Sequence, residues 1–222
     1  MCVAGVLGHH RAMETDLLEE LWGRVTATVT ALDEAAYDMP TRAAGWCVRD
    51  LLFHQLLDAQ RALVALASPT EDAADVDAVS YWAPFHPAAG DGGRGHAAFV
   101  CAAAAAYRTG AVLAGQWRET SQAAVRAART ADPRTRVRTQ GHVLTVADLV
   151  STLVVEATVH LLDLTVELPD APAPPPAALR HTRGVLEASY GGPLPAAWDD
   201  TEAVLRGTGR LPADDPRLPL LG

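Results

Sequence analysis

Apolar residues return every three or four positions along four long segments of this chain, and no run of alternating polar and apolar residues is flanked by hairpin signals. That pattern restricts the chain to a mainly helical fold. Leu17, Leu18, Leu21, Val25, Val29 and Leu32 form the apolar stripe of a first helix predicted over residues 14–35. After a turn at 41–45, Cys47 opens a second helix with Asp50 three residues on, and Leu51, Leu52, Leu56, Leu57 and Leu63 carry it to Leu66. A third helix is predicted over 96–130, where AAFVCAAAAAY supplies high helix propensity and small side chains for close packing. Thr145 reads as the N-cap of a fourth, which runs to about Leu168 with Asp148 near its positive end. The stretch RTRVRTQGHVL before it reads as irregular or briefly extended.

Four such helices predict an all-α four-helix bundle, in which ligand and metal sites are built from side chains that project inward from facing helices. The bundle is assigned to residues 1–169. Residues 170–222 read as a short C-terminal appendage: a Pro-rich linker, a helix near 177–190, and a tail whose Val185, Leu186, Trp198, Val204 and Leu205 need cover from the bundle. The segment 68–95 is longer than an ordinary connection and carries Tyr81, Trp82 and Phe85, which suits either a lid over a site or a cover for core surface.

A net charge of -9 argues against a nucleic-acid partner, because nonspecific affinity for a phosphate backbone comes from clustered cations. The arginines at 126, 129, 134, 136 and 138 are expected to lie on a solvated helix end and loop, with attraction of an anionic substrate as the other reading. No stretch is long and apolar enough for a membrane span, and MCVAGVLGHH lacks the features of a secretory signal. Cys2, Cys47 and Cys101 include no CxxC pair, so a reducing cytoplasm is the expected compartment. At a helix N-terminus Cys47 is a candidate reactive thiol, or simply a cap or a small buried residue.

The stretch VVEATVHLLDL, residues 154–164, puts three ionisable groups into an apolar helix. Glu156 and His160 are four apart and share a face, with Asp163 beside them, a geometry that converges one carboxylate and one imidazole on a point. A borderline divalent ion such as Zn²⁺ accepts that donor pair but needs a third protein ligand from another helix. His54 is the candidate, as the one other His well inside a long apolar helix, with Asp58 on its face. Asp58 and Asp163 would then orient the ligands. Spacing alone leaves open the ordinary alternative of core histidines satisfied by hydrogen bonds. His9, His10, His86, His96 and His181 are expected to be structural or exposed, while His142 is a candidate general base approaching from the helix end. There is no GxSxG elbow and no Gly-rich phosphate loop.

PTRAAGWCVRDLLFHQLLDAQRAL resembles the DinB-like signature, with its Gly-Trp pair and helix-borne His. TVADLVSTLVVEATVHLLDL resembles the ExxxHxxD helix of the mycothiol-dependent maleylpyruvate isomerase branch of that superfamily, and YWAPFHP and WDDTEAVLRGTGRLP are similar to it as well. The resemblance implies a DinB-like bundle whose divalent metal, usually zinc, is held by His54, Glu156 and His160. It further implies mycothiol as a thiol cosubstrate, activated by the metal for S-transfer to, or isomerisation of, a small electrophilic molecule. Cys47 stands where the family has Ser or Thr. The tail is expected to be shorter than the isomerases' C-terminal domain, in which an Arg assists the reaction, and Arg206 or Arg210 is the candidate to stand in. A hydrolase whose metal activates water, and a non-catalytic metal or small-molecule binding protein, are the rival expectations. A monomer or a homodimer is expected.

Overall fold

The computed structural model describes residues 3–85, 94–168 and 170–221, with side chains from Glu14 and Gly95 onward in the first two stretches. Cys2, His86 and the side chains of His9 and His10 lie outside the described residues. In chain order the elements are α1 Val3–Thr30, α2 Val48–Leu66, α3 Arg94–Ala104, α4 Gly110–Thr130, β1 Arg136–Thr139, β2 His142–Thr145, α5 Val146–Leu164, α6 Pro176–Tyr190 and α7 Asp200–Gly207. The class is helical, as the periodicity predicts, with one two-stranded sheet.

Helices α1, α4, α2 and α5 form the bundle in that cyclic order: α1 packs on α4 and α5, and α2 packs on the same two. The apolar stripes meet at its centre, where Leu21 and Val25 of α1, Leu51 and Leu56 of α2, Leu113 and Trp117 of α4, and Val154 and Leu161 of α5 are fully buried. Trp117 meets Trp22 edge to face at 5.5 Å, and its indole N–H, which would be costly to bury unpaired, donates to Thr26 Oγ1 at 3.0 Å. Among the described residues no helix is long and apolar enough to cross a membrane.

Three boundaries depart from the sequence expectation. α1 ends at Thr30 and not near 35, because the Tyr37 hydroxyl folds back to donate to the Val29 carbonyl at 2.6 Å. The predicted third helix is two, α3 and α4. Thr109 accepts from the Val112 N–H at 3.3 Å, and the Gly110 N–H donates to both Glu34 carboxylate oxygens at 2.9 Å, so a new N-terminus is capped in the middle of the segment. Gly110 is required there. A Cβ at this position would lie 2.2 Å from Tyr37 Cδ2, on a ring that is itself buried. Gly110→Ala is expected to destabilise the fold by about 2 kcal/mol through overpacking, read as a lower midpoint of urea unfolding with an unchanged slope.

The third difference is at the stretch read as irregular or briefly extended, which is extended and forms a hairpin. β1 and β2 pair antiparallel with Thr139 opposite His142, and the two connecting residues, Gln140 and Gly141, have φ of 50° and 84°. Those values belong to the type I′ turn that matches strand twist. Val137 and Leu144 face each other and are fully buried. The chain from Pro69 to Asp75 runs along this hairpin: Thr70 N–H donates to the Arg136 carbonyl at 2.9 Å and Asp75 N–H to the Val143 carbonyl at 3.0 Å. It is then tied to α5 by the Ala78 N–H, which donates to Asp148 at 3.1 Å. Asp148 also caps α5 with Thr145, whose Oγ1 accepts the Asp148 N–H at 3.1 Å, as the sequence predicts. The arginines of this region are paired on the surface, Arg129 with Asp16 and Glu19, Arg136 with Glu71 and Arg138 with Asp72.

Beyond the bundle, α6 packs on α5 and α1, and α7 packs on α6. Leu186 and Val204 are fully buried between them. Where α1, α5 and α6 meet, Glu14 lies 3.8 Å from His181, whose other ring nitrogen is 2.9 Å from Ser151 Oγ. Burial, and then the Asp148 charge, push the Glu14 carboxyl up to about 7. An acid whose folded-state pKa is raised stabilises the fold below its unfolded value and loses that contribution as pH climbs through the folded one. Glu14→Gln is therefore expected to be more stable than wild type by about 3 kcal/mol at pH 8, with the gap closing by about pH 4. Buried His181, held below the ordinary imidazole range, acts with the opposite sign and at lower pH. Unfolding curves across this range check the difference; parallel curves would refute it.

Candidate metal centre

α2 and α5 share a side of the bundle, and this adjacency brings the sequence-predicted residues together. His54 of α2 and Glu156 and His160 of α5 offer ligand atoms that all lie within 4.8 Å of one another. His160 Nε2 is 3.0 Å from Glu156 Oε2, as the i, i+4 spacing requires. Its other nitrogen, Nδ1, is 3.1 Å from Asp163 Oδ2. Asp163 is completely buried and also accepts from Arg210 Nη2 at 3.1 Å. Arg210 is in turn fixed by donating from Nη1 to the Thr208 carbonyl at 2.8 Å. Arg206, the other arginine considered, pairs instead with Glu202 and lies over the Trp198 ring.

The turn before α2 places a further residue at the site. Pro40 and Cys47 face each other across an antiparallel bridge, Thr41 N–H donates to the Trp46 carbonyl at 3.0 Å, and Arg42 N–H donates to the Asp163 carbonyl at 3.0 Å. This ties the turn to the end of α5 and lays the Trp46 ring 5.0 Å from that of His54 and 6.4 Å from that of His160. Trp46 Nε1 is buried and has no hydrogen-bond partner among the described residues, a donor that a group bound at this site would satisfy. Cys47 itself holds its thiol and its N–H 3.2 and 3.1 Å from Asp50. Burial first, then the Asp50 carboxylate, push the thiol above its ordinary range, so the expectation of a dipole-activated thiol is not met. It caps α2.

His96 is the residue that sequence reasoning missed. Expected to be structural or exposed, it sits in the first turn of α3 with Nε2 3.2 Å from His54 Nδ1. Only a contact between helices separated by the long 67–93 connection reveals this, and no spacing within one helix signals it. Asp58 lies on the other side of the His54 ring, with Oδ2 3.6 Å from Nε2, and is held by Arg61 at 3.3 Å. His142 is on β2, its Nδ1 3.2 Å from Asp75, and it is not among the residues lining the adjoining cleft.

That small cleft is lined by Asp58 and Arg61 of α2, Tyr81 of the long segment, Thr139 and Gln140 of the hairpin, and Thr152 and Glu156 of α5. Gln140 Nε2 donates to the Tyr81 hydroxyl at 2.6 Å across its rim. Glu156 is thus shared by the His54, Glu156 and His160 cluster and the cleft wall.

The electrostatics separate the two histidines. Burial, and then the charge on His160, push His54 down to about 3, so its ring is neutral. His160 is also buried, but the hydrogen bonds and charges of Asp163 and Glu156 outweigh burial and hold it up at about 9. Glu156, with desolvation opposed by His160, stays an anion. Asp58, buried beside that anion, is pushed well above the carboxylate range. A carboxylate and two imidazoles with outer nitrogens already engaged form a donor set suited to a divalent ion of zinc's type.

The sequence model of the mycothiol maleylpyruvate isomerase N-terminal domain matches residues 18–165. The chain belongs to that family. The matched span runs from within α1 to just past the end of α5 and includes all three clustered residues. None of the curated proteins matches the sequence. Among solved structures, a histidine-to-alanine mutant of the mycothiol-dependent maleylpyruvate isomerase is similar with a TM-score of 0.61 at 15% identity, over 90% of this chain and 89% of that one. The same isomerase without the mutation gives 0.60 at 14% identity with the same coverage. At this identity the likeness is one of fold. Its extent reaches past the bundle, since 90% of this chain includes part of the C-terminal appendage.

Proposed function

We propose that this member of the mycothiol maleylpyruvate isomerase family is a metal-dependent enzyme that uses mycothiol as a thiol cosubstrate, in S-transfer to or isomerisation of a small electrophilic molecule. The observation that carries the reading is the convergence of His54, Glu156 and His160, with Glu156 also lining the adjoining cleft. His160 would hold a divalent metal, zinc by the chemistry of the donor set, through Nε2, with Nδ1 engaged by Asp163. Glu156 supplies the anionic ligand and His54 a ring that is already neutral. When bound, such a metal keeps a coordinated thiol deprotonated and nucleophilic at neutral pH.

The chain's own residues do the rest. The Trp46 ring covers both histidines and turns water away from them, and its unpartnered N–H is a donor for the thiol or the electrophile. Tyr81, Gln140 and Arg61 present polar groups along the path by which the electrophile reaches Glu156. Arg210 acts through Asp163 and keeps the His160 ring oriented.

The zinc-loaded protein should consume a panel of small electrophiles only when mycothiol is present, and lose that activity in Glu156→Gln. Equal turnover with and without mycothiol would overturn the thiol reading in favour of a metal-activated water.

A further inference from the structure

The outer partners of the two histidines differ. His160 Nδ1 faces a buried carboxylate, whereas His54 Nδ1 faces His96 Nε2 at 3.2 Å. A neutral imidazole that gives one nitrogen to a metal carries its proton on the other, and that N–H needs an acceptor when buried. His54 is 8% exposed, so water cannot serve its outer nitrogen freely. Its Nε2 faces Asp58 in the cleft that Glu156 also lines. His96 is outside the set of residues whose ligand atoms lie within 4.8 Å of one another, and it meets the cluster through His54 Nδ1.

Resting on the metal reading above, we propose that His96 is a positioning residue of the metal centre: its Nε2 accepts the Nδ1 proton of His54, fixing the tautomer that leaves His54 Nε2 for the metal. His96 itself then carries its proton on Nδ1. The support for the pair is built into the fold. α3 packs on α2 through Phe53, whose ring lies 6.4 Å from Phe99 and 5.9 Å from Tyr107, and Val100 is fully buried. Trp46 covers the pair, 5.0 Å from the His54 ring and 6.3 Å from the His96 ring. The centre is therefore asymmetric: an anion backed by an arginine orients one imidazole, and a neutral ring orients the other.

The test is zinc affinity of the full chain, measured by competition with a chromophoric chelator, for wild type, His96→Gln, His96→Phe and His54→Ala. His96→Phe keeps a ring against Trp46 but has no acceptor, and is expected to bind zinc about tenfold or more weakly. His96→Gln, whose side-chain oxygen accepts a hydrogen bond, should recover most of that loss. Unchanged affinity in His96→Phe, with binding abolished in His54→Ala, overturns the role of His96 and leaves the metal site standing. A wild-type protein without zinc affinity overturns the metal reading and this one with it. Nitrogen-resolved spectra of zinc-loaded wild type give a second measure that needs no variant: a proton on His54 Nδ1 supports the assignment, and zinc on Nδ1 with the proton on Nε2 overturns it.

Discussion

Replacing His160 with alanine is expected to reduce divalent metal in the purified protein from one ion per chain to background, measured by elemental analysis of material prepared without a histidine tag. The ring supplies one of three converging ligand atoms, and two protein ligands do not make a stable site of this type. The same ring predicts the pH dependence. His160 is held up at about 9 by Asp163 and Glu156 despite burial, so at neutral pH it carries a proton that the metal must displace. His54 is already neutral and Glu156 already an anion. Binding at pH 7 should then release about one proton, and affinity should rise about tenfold per pH unit until pH approaches 9. Titration calorimetry in buffers of different ionisation enthalpy measures the proton directly. Metal retained at wild-type level in His160→Ala would remove the site from consideration.

A second large effect is expected at Asp163. Its carboxylate is completely buried and joins His160 of α5 to Arg210 beyond α7. Asp163→Ala leaves a guanidinium that is only 16% exposed without its counter-ion. Breaking a buried pair from one side costs about 3 to 5 kcal/mol, which for a chain of this size lowers Tm by roughly 10 °C. Arg210→Met should cost a similar amount for the mirror reason. In the double variant Asp163→Leu with Arg210→Met neither charge is left behind, and a large part of the loss should return. Additive single effects would show that the two residues do not act as a pair.

How much of this was legible beforehand follows from the range of each interaction. The caps of α2 and α5 and the shared face of Glu156, His160 and Asp163 depend on residues within seven positions of each other, and periodicity with capping chemistry reveals them. The joining of His54 to that face depends on which helices are neighbours, and there the family resemblance supplied what spacing left open. The break between α3 and α4 was hidden because alanine-rich sequence carries helix propensity straight through it. Its signal was the Thr-Gly pair at 109–110, whose necessity is visible only once the Tyr37 ring occupies the space beside Gly110. The hairpin escaped because Gln140 is an unusual residue at positive φ, where Asn or Asp is the common sign of such a turn. His96 escaped for a tertiary reason, since its position relative to His54 is set by the packing of α3 on α2. Trp46 belonged to the motif that carried the resemblance, but its place over the histidines depends on the Arg42 link to α5.

The cyclic order α1, α4, α2, α5 has one more consequence. The three clustered residues all lie on α2 and α5, which form a single edge of the square. The opposite edge, α1 and α4, contributes volume to the core and, among the described residues, nothing to the cluster. The clustered side chains are thus confined to two helices, whereas all four share in the core. On α1 and α4 the described core positions need only apolar side chains that fill the same space, while α2 and α5 must also hold His54, Glu156 and His160 in register.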